Sequence, residues 1–162
     1  MARINAGAPQ CQIPADAFFV ESQQSLSSDV SAISPFLVQL MQFITKFRPL
    51  DRSEMDIEMA VREAIANAVI HGSHENRSTR VYVTCRCTPN GEISIIVRDQ
   101  GHGFDVRGVP DPTLEQNRLS THGRGIHIMQ ALMDEVRFEE GGRVVRMRKN
   151  PSGSSFRRKT SE

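Results

Sequence analysis

The chain has 162 residues, 38% of them hydrophobic, with 20 Lys+Arg against 19 Asp+Glu and a net charge of +1. That suits one domain on a scale of about 150 residues each, and it is too near neutral for a protein whose affinity comes from neutralising nucleic-acid phosphates. No apolar run approaches the roughly 18 residues of a membrane span, residues 1–10 lack the apolar centre of a secretory signal, and three cysteines at irregular spacing make no disulfide framework.

The expected organisation is a flexible N-terminus over 1–15, one domain over 16–150 and a flexible basic tail over 151–162, in a cytoplasmic protein. In the tail, Arg157-Arg158-Lys159 reads first as a solvated end and second as a contact for an acidic partner. The domain opens with a short strand or edge at Phe18 to Val20. Val30, Ile33, Leu37, Leu40, Met41 and Ile44 then share one face of a helix that stops near Phe47. Pro35 interrupts it, so either Ser34 caps the helix or a loose first turn precedes it. A second helix is predicted over 51–72, capped by Asp51 or Ser53. Its core face is Ile57, Val61, Ala64, Ile65 and Ala68, and Gly72 ends it.

Val81, Val83, Cys85 and Cys87 alternate with polar residues, as do Ile93, Ile95 and Val97; Pro89-Asn90-Gly91 between them predicts an antiparallel hairpin. Residues 100–122 are rich in Gly, Pro and Asp and have no period, which predicts a mobile functional loop. A helix over 125–133 and a second hairpin around Gly141-Gly142 complete the order. The fold class is α+β, with helices over one face of a mainly antiparallel sheet.

Three places carry chemistry. Asp99 continues the inward phase of Ile93, Ile95 and Val97, so a buried carboxylate there needs a donor, and Gly101 and Gly103 let backbone approach a ligand closely. Glu63, Asn67 and His71 stand at i, i+4 and i+8 on one helix line, with Ala60, Ala64 and Ala68 keeping space beside them. A carboxylate and an amide there suit a ligand or a hydrated Mg²⁺. Gly123-Arg124-Gly125 precedes a helix whose free N–H groups favour an anion.

In this order, Glu63-x-x-x-Asn67 with His71, Asp99-x-Gly101-x-Gly103-Phe104 and Gly123-x-Gly125 resemble the motifs of the Bergerat-fold (GHKL) ATPases, the group of gyrase B, histidine kinases and MutL. Within that group the chain is similar to the bacterial anti-sigma factor serine/threonine kinases. The resemblance implies a two-layer sandwich with an ATP lid. It implies Glu63 as base, Asn67 as the Mg²⁺ ligand, Asp99 as acceptor from the adenine amino group, Gly101 and Gly103 at the adenine base and lid hinge, and Gly123 and Gly125 at the phosphates. His71 and Phe104, as neighbours within these motifs, join the nucleotide-binding set. It also implies a sigma factor and a STAS-type anti-anti-sigma protein as partners, ATP and Mg²⁺ as cofactors, and a homodimer through the sheet and first helix.

One departure bears on catalysis. Thr121 and His122 stand where active relatives carry a lid arginine, leaving Arg118 or Arg124 to meet the terminal phosphate, with Arg124 favoured by its helix N-terminus. The expected activity is phosphorylation of a Ser or Thr on the STAS partner combined with sequestration of a sigma factor. The alternative is a nucleotide-binding module that sequesters a partner without transfer.

Overall fold

Alternation along four strands sets the frame. A computed structural model describes residues 20–48, 53–74, 76–103 and 124–151. They form β1 (Val20–Ser27), α1 (Ile33–Phe47), α2 (Ser53–Asn67), β2 (Arg80–Cys87), β3 (Ile93–Arg98), α3 (Arg124–Leu132), β4 (Glu135–Glu139) and β5 (Val144–Lys149). The strands make one sheet in the order β1-β2-β3-β5-β4, every neighbouring pair antiparallel. The expected element order and α+β class hold.

Register explains where the core lies. Val83 faces Val97 and Cys85 faces Ile95 across β2–β3, and Ile95 faces Met147 across β3–β5. All are buried, under helices that contribute Leu37, Leu40, Ile44, Ile57, Val61, Ile65 and Met129. Each such large side chain contributes about 1.5–3 kcal/mol by leaving water. The other face is polar and crossed by ion pairs, among them Arg86–Glu21, Arg98–Glu140 and Arg146–Glu139. Such exposed pairs are worth about 0–1 kcal/mol each; they keep this face wet rather than hold the fold.

β1 and the second helix differ from expectation, and the start of α1 settles between its two alternatives. β1 begins at Val20 and runs through Ser27, whereas the sequence placed a strand around Phe18 to Val20; Phe18 and Phe19 lie outside the described residues. Its core-side positions, opposite Cys85, Val83 and Val81, are Ser22, Gln24 and Leu26, so an edge strand with two polar inward residues shows no apolar alternation. Before α1, Asp29 accepts the Ser31 N–H at 2.9 Å and starts a 3₁₀ turn, Val30–Ala32. Pro35 therefore sits in the first turn of α1, where its missing N–H has no helical partner to lose. This is the loose-turn alternative.

With that turn, Val30–Phe47 is 18 residues of mean hydropathy 1.2, enough by length and composition to cross a membrane, where no such run was expected. Its apolar stripe of Ile33, Phe36, Leu37, Leu40 and Ile44 is instead spent on the core.

The second helix does not run unbroken to Gly72. It is α-helical to Asn67, and Ala68–Gly72 forms a π turn, with the Ser73 N–H donating to the Ala68 carbonyl five residues back at 2.9 Å. α3 packs antiparallel on α2: Gly125 at its start lies against Glu63 and Asn67, while Lys149 joins the Leu132 carbonyl at its end to Asp56 near the start of α2. At the opposite pole, buried Arg48 donates to the Gly91 carbonyl (2.9 Å), Ser53 Oγ (2.7 Å) and the Asn150 carbonyl (3.0 Å). One guanidinium thus ties α1, α2, the β2–β3 turn and the end of β5. Phe104, Gly123, most of the 100–122 loop, residues 1–15 and the tail beyond Pro151 lie outside the described residues.

Candidate nucleotide site

Asp99 follows β3 directly and is only 7% exposed, as its phase required. Its main-chain N–H donates to the Arg143 carbonyl at 3.0 Å, which fixes the strand end, and its Oδ1 accepts the Gly101 N–H at 2.7 Å. Burial pushes its carboxyl above the usual aspartate range, against the opposing pull of the Gly101 N–H and the Arg143 charge. A carboxylate held this way is a strong acceptor with capacity left for a donor from outside.

Glycine makes the approach possible. A Cβ on Gly72 would lie 2.5 Å from Asp99 Oδ2 and 2.7 Å from Oδ1, and one on Gly101 would overlap the Gly72 carbonyl. The π turn, a feature that gathers at functional sites, carries the helix end across to the strand end, so Gly72 lies against Asp99. Gly103, at φ 76, packs its backbone on the Gly141 carbonyl in the β4–β5 turn, in a conformation open to glycine at little cost.

The second cluster forms where α3 begins. A Cβ on Gly125 would lie 2.7 Å from Glu63 Oε2 and 3.3 Å from Asn67 Nδ2. Glycine there lets the N-terminal turn of α3, the positive end of its dipole, come down onto a carboxylate and an amide one α-helical turn apart. Arg124, the first residue of α3, is exposed at the same end.

The structure thus brings Glu63, Asn67 and Gly125 together, and separately Asp99 and Gly101. The two groups are joined by five residues of π turn. His71 lies in that turn and is exposed; the wider turn takes it off the strict i+8 phase with Glu63. Gly103 packs against Gly141 and Arg143 rather than in the Asp99 cradle.

Sequence reasoning treated Gly72 as a helix stop and missed it as the backbone wall beside Asp99. No local signal marks a tertiary contact of that kind, though a His71-Gly72 pair at the end of an ionisable stripe was a pointer. Ser73 was also missed: its hydroxyl is buried and is the one buried side-chain polar atom among the described residues without a hydrogen-bond partner.

Comparison with known proteins shows the family of the chain. The sequence matches the histidine kinase-like ATPase domain over residues 26–149. It is 31% identical over 118 residues to an anti-sigma F factor of Heyndrickxia coagulans, covering 70% of this chain and 80% of that protein. It is 33% identical over 104 residues to the anti-sigma F factor of Priestia megaterium, covering 63% and 71%. With the serine-protein kinase RsbW of Bacillus licheniformis it shares 37% identity over 103 residues, 58% of this chain and 62% of that protein. Among solved structures, the RsbU and RsbW domains of a Mycobacterium tuberculosis protein share the fold with a TM-score of 0.56 at 19% identity, over 82% of this chain and 32% of that longer one. A family match spanning most of the chain, on a fold that gathers the motif residues at one end of α2, makes this protein a member of the histidine kinase-like ATPase domain family.

Proposed function

We propose that this protein is an ATP-dependent anti-sigma regulator of the cytoplasm: it transfers the terminal phosphoryl group of ATP to a Ser or Thr of a STAS-type anti-anti-sigma partner, and it sequesters a sigma factor. The observation that carries the reading is Gly125 packed on Glu63 and Asn67, which brings a helix N-terminus, a carboxylate and an amide together. An anion is favoured there by the positive end of the helix dipole. The names of the relatives, anti-sigma F factor and serine-protein kinase, support the same activity.

Each residue has a task set by its place. Asp99 accepts from the adenine amino group through the capacity that Gly101 leaves unused, and Gly72 and Gly101 keep that cradle free of side chains. Asn67 would hold Mg²⁺ through its single amide oxygen, and an oxygen ligand beside the Glu63 carboxylate fits a cation that keeps most of its waters. When bound, the ion neutralises charge on the phosphates. Glu63 orients the partner's hydroxyl and takes its proton as that oxygen bonds to the γ-phosphorus and the bond to ADP breaks. Arg124 supplies positive charge at the start of α3, in place of the lid arginine. Transfer of this kind depends mainly on positioning and charge. Homodimerisation through the sheet and α1 belongs to this reading, supported by exposed Val30 and Phe47.

The absent lid arginine favours one second reading, a nucleotide-bound module that sequesters its partner without transfer. Incubation with labelled ATP, Mg²⁺ and candidate STAS proteins from neighbouring genes separates the two. Label on a Ser or Thr of the STAS protein supports the kinase. A STAS protein that binds and stays unlabelled leaves the module.

A further inference from the structure

α1 and α2 lie side by side, and between them is a groove of about 400 Å³. Leu37, Val38 and Met41 of α1 form an apolar floor, and Glu54 and Glu58 of α2 form an acidic wall. Val38 is 59% exposed. Arg62 pairs with Glu58 and donates across to Ser34 Oγ at 3.2 Å, closing one end. The other end is lined by Thr45 and Glu54.

The chain leaves the described fold at that other end. Arg48, three residues past Thr45, donates both to Ser53, next to Glu54, and to the carbonyl of Asn150, next to Pro151. Beyond Pro151 the sequence is Ser-Gly-Ser-Ser, then Phe156, then Arg157-Arg158-Lys159. One aromatic followed by three cations matches an apolar floor beside two carboxylates. The stem reaches: five extended residues span about 17 Å at roughly 3.3 Å each, and α2 from Ser53 to Arg62 is only about 14 Å long at roughly 1.5 Å per residue. The stem is only Ser and Gly, whose small side chains offer nothing bulky to oppose docking.

We propose that residues 152–162 dock in this groove of their own chain, with Phe156 on Val38 and Met41 and the Arg157–Lys159 cations along Glu54 and Glu58. The tail then withholds the α1–α2 face from any partner that offers a basic amphipathic segment, and displacing it opens that face.

The chain has no tryptophan, so Phe156→Trp in the full-length protein reports only its own surroundings. Its emission is expected to lie to the blue of the free tail peptide, with several-fold weaker quenching by acrylamide, at every protein concentration. Val38→Glu, at an exposed position that leaves the core intact, is expected to return both readings to those of the peptide, as is reversing charge at Glu54 and Glu58. Peptide-like emission in the Phe156→Trp protein overturns the proposal, and so does a blue shift indifferent to Val38→Glu. A shift that grows with protein concentration places the tail in a second copy and overturns docking within one chain.

Discussion

Gly125 stands over Glu63 so closely that a methyl group on the glycine would come within 2.7 Å of the carboxylate oxygen. The obstruction would be the far end of a flexible side chain, so the fold can yield by moving Glu63 alone. Alanine is also favoured over glycine in a helix by about 1 kcal/mol. Position 125 therefore separates stability from activity.

Gly125→Ala is expected to melt at or slightly above the wild-type temperature while phosphoryl transfer falls by about 10²-fold or more, the scale of a misplaced general base. Differential scanning calorimetry beside a transfer assay checks both halves. Wild-type transfer in a stable Gly125→Ala protein would remove Glu63 from the reaction.

Gly101 meets backbone rather than side chain, since its Cβ would overlap the Gly72 carbonyl. Gly101→Ala cannot be absorbed by one rotamer and is expected to cost about 1–3 kcal/mol, the range for overpacked sites, and to weaken ATP binding by separating the π turn from Asp99. Urea denaturation and ATP titration of the same preparation measure the two effects; an unshifted midpoint contradicts the close approach.

Asp99 gives a pH signature. Because burial raises its folded pKa above the unfolded value, the folded state holds the proton more tightly. Its contribution to stability is then complete at low pH and is lost as pH rises through the folded pKa. Asp99→Asn removes the ionised form, so it is expected to raise the melting temperature at neutral pH, with the gain shrinking as pH falls towards about 4, the ordinary aspartate range. ATP affinity should fall in the same protein, because an amide can donate where adenine also donates. A variant less stable than wild type at neutral pH would show that the carboxylate is needed for the fold itself.

Arg48 makes the opposite kind of prediction, one of stability alone. Arg48→Ala strips three acceptors of a charged donor, each such bond being worth about 1.5–3 kcal/mol. Arg48→Lys is not expected to rescue it, because a single ammonium cannot span a fork of three acceptors. Chemical denaturation of the two variants checks this, and a lysine protein as stable as wild type would contradict the clamp.

The hairpins, the core faces of α1 and α2 and the inward turn of Asp99 were legible because each is a short-range period of apolar residues. β1 was not, because Ser22 and Gln24 face inward at a sheet edge, where burial is incomplete. The π turn was hidden by apolar Ala68 and Val69, which continue the helical pattern through it. Arg48 carries no local signal, because partners of its guanidinium lie 5, 43 and 102 positions away. For the site, the sequence supplied Glu63, Asn67, Asp99, Gly101 and Gly125. The meeting of Gly72 with Asp99, and of Gly125 with Glu63, is tertiary and has no local mark.

In the proposed function Glu63, on the face it shares with Asn67 and Gly125, serves transfer rather than nucleotide binding. The measurement is single-turnover phosphorylation of the STAS partner by wild type and Glu63→Ala, with ATP affinity of both by calorimetry. The variant is expected to keep its ATP affinity and to transfer about 10²–10⁴-fold more slowly, the span of general-base assistance. An unaltered rate with ATP bound would contradict that role.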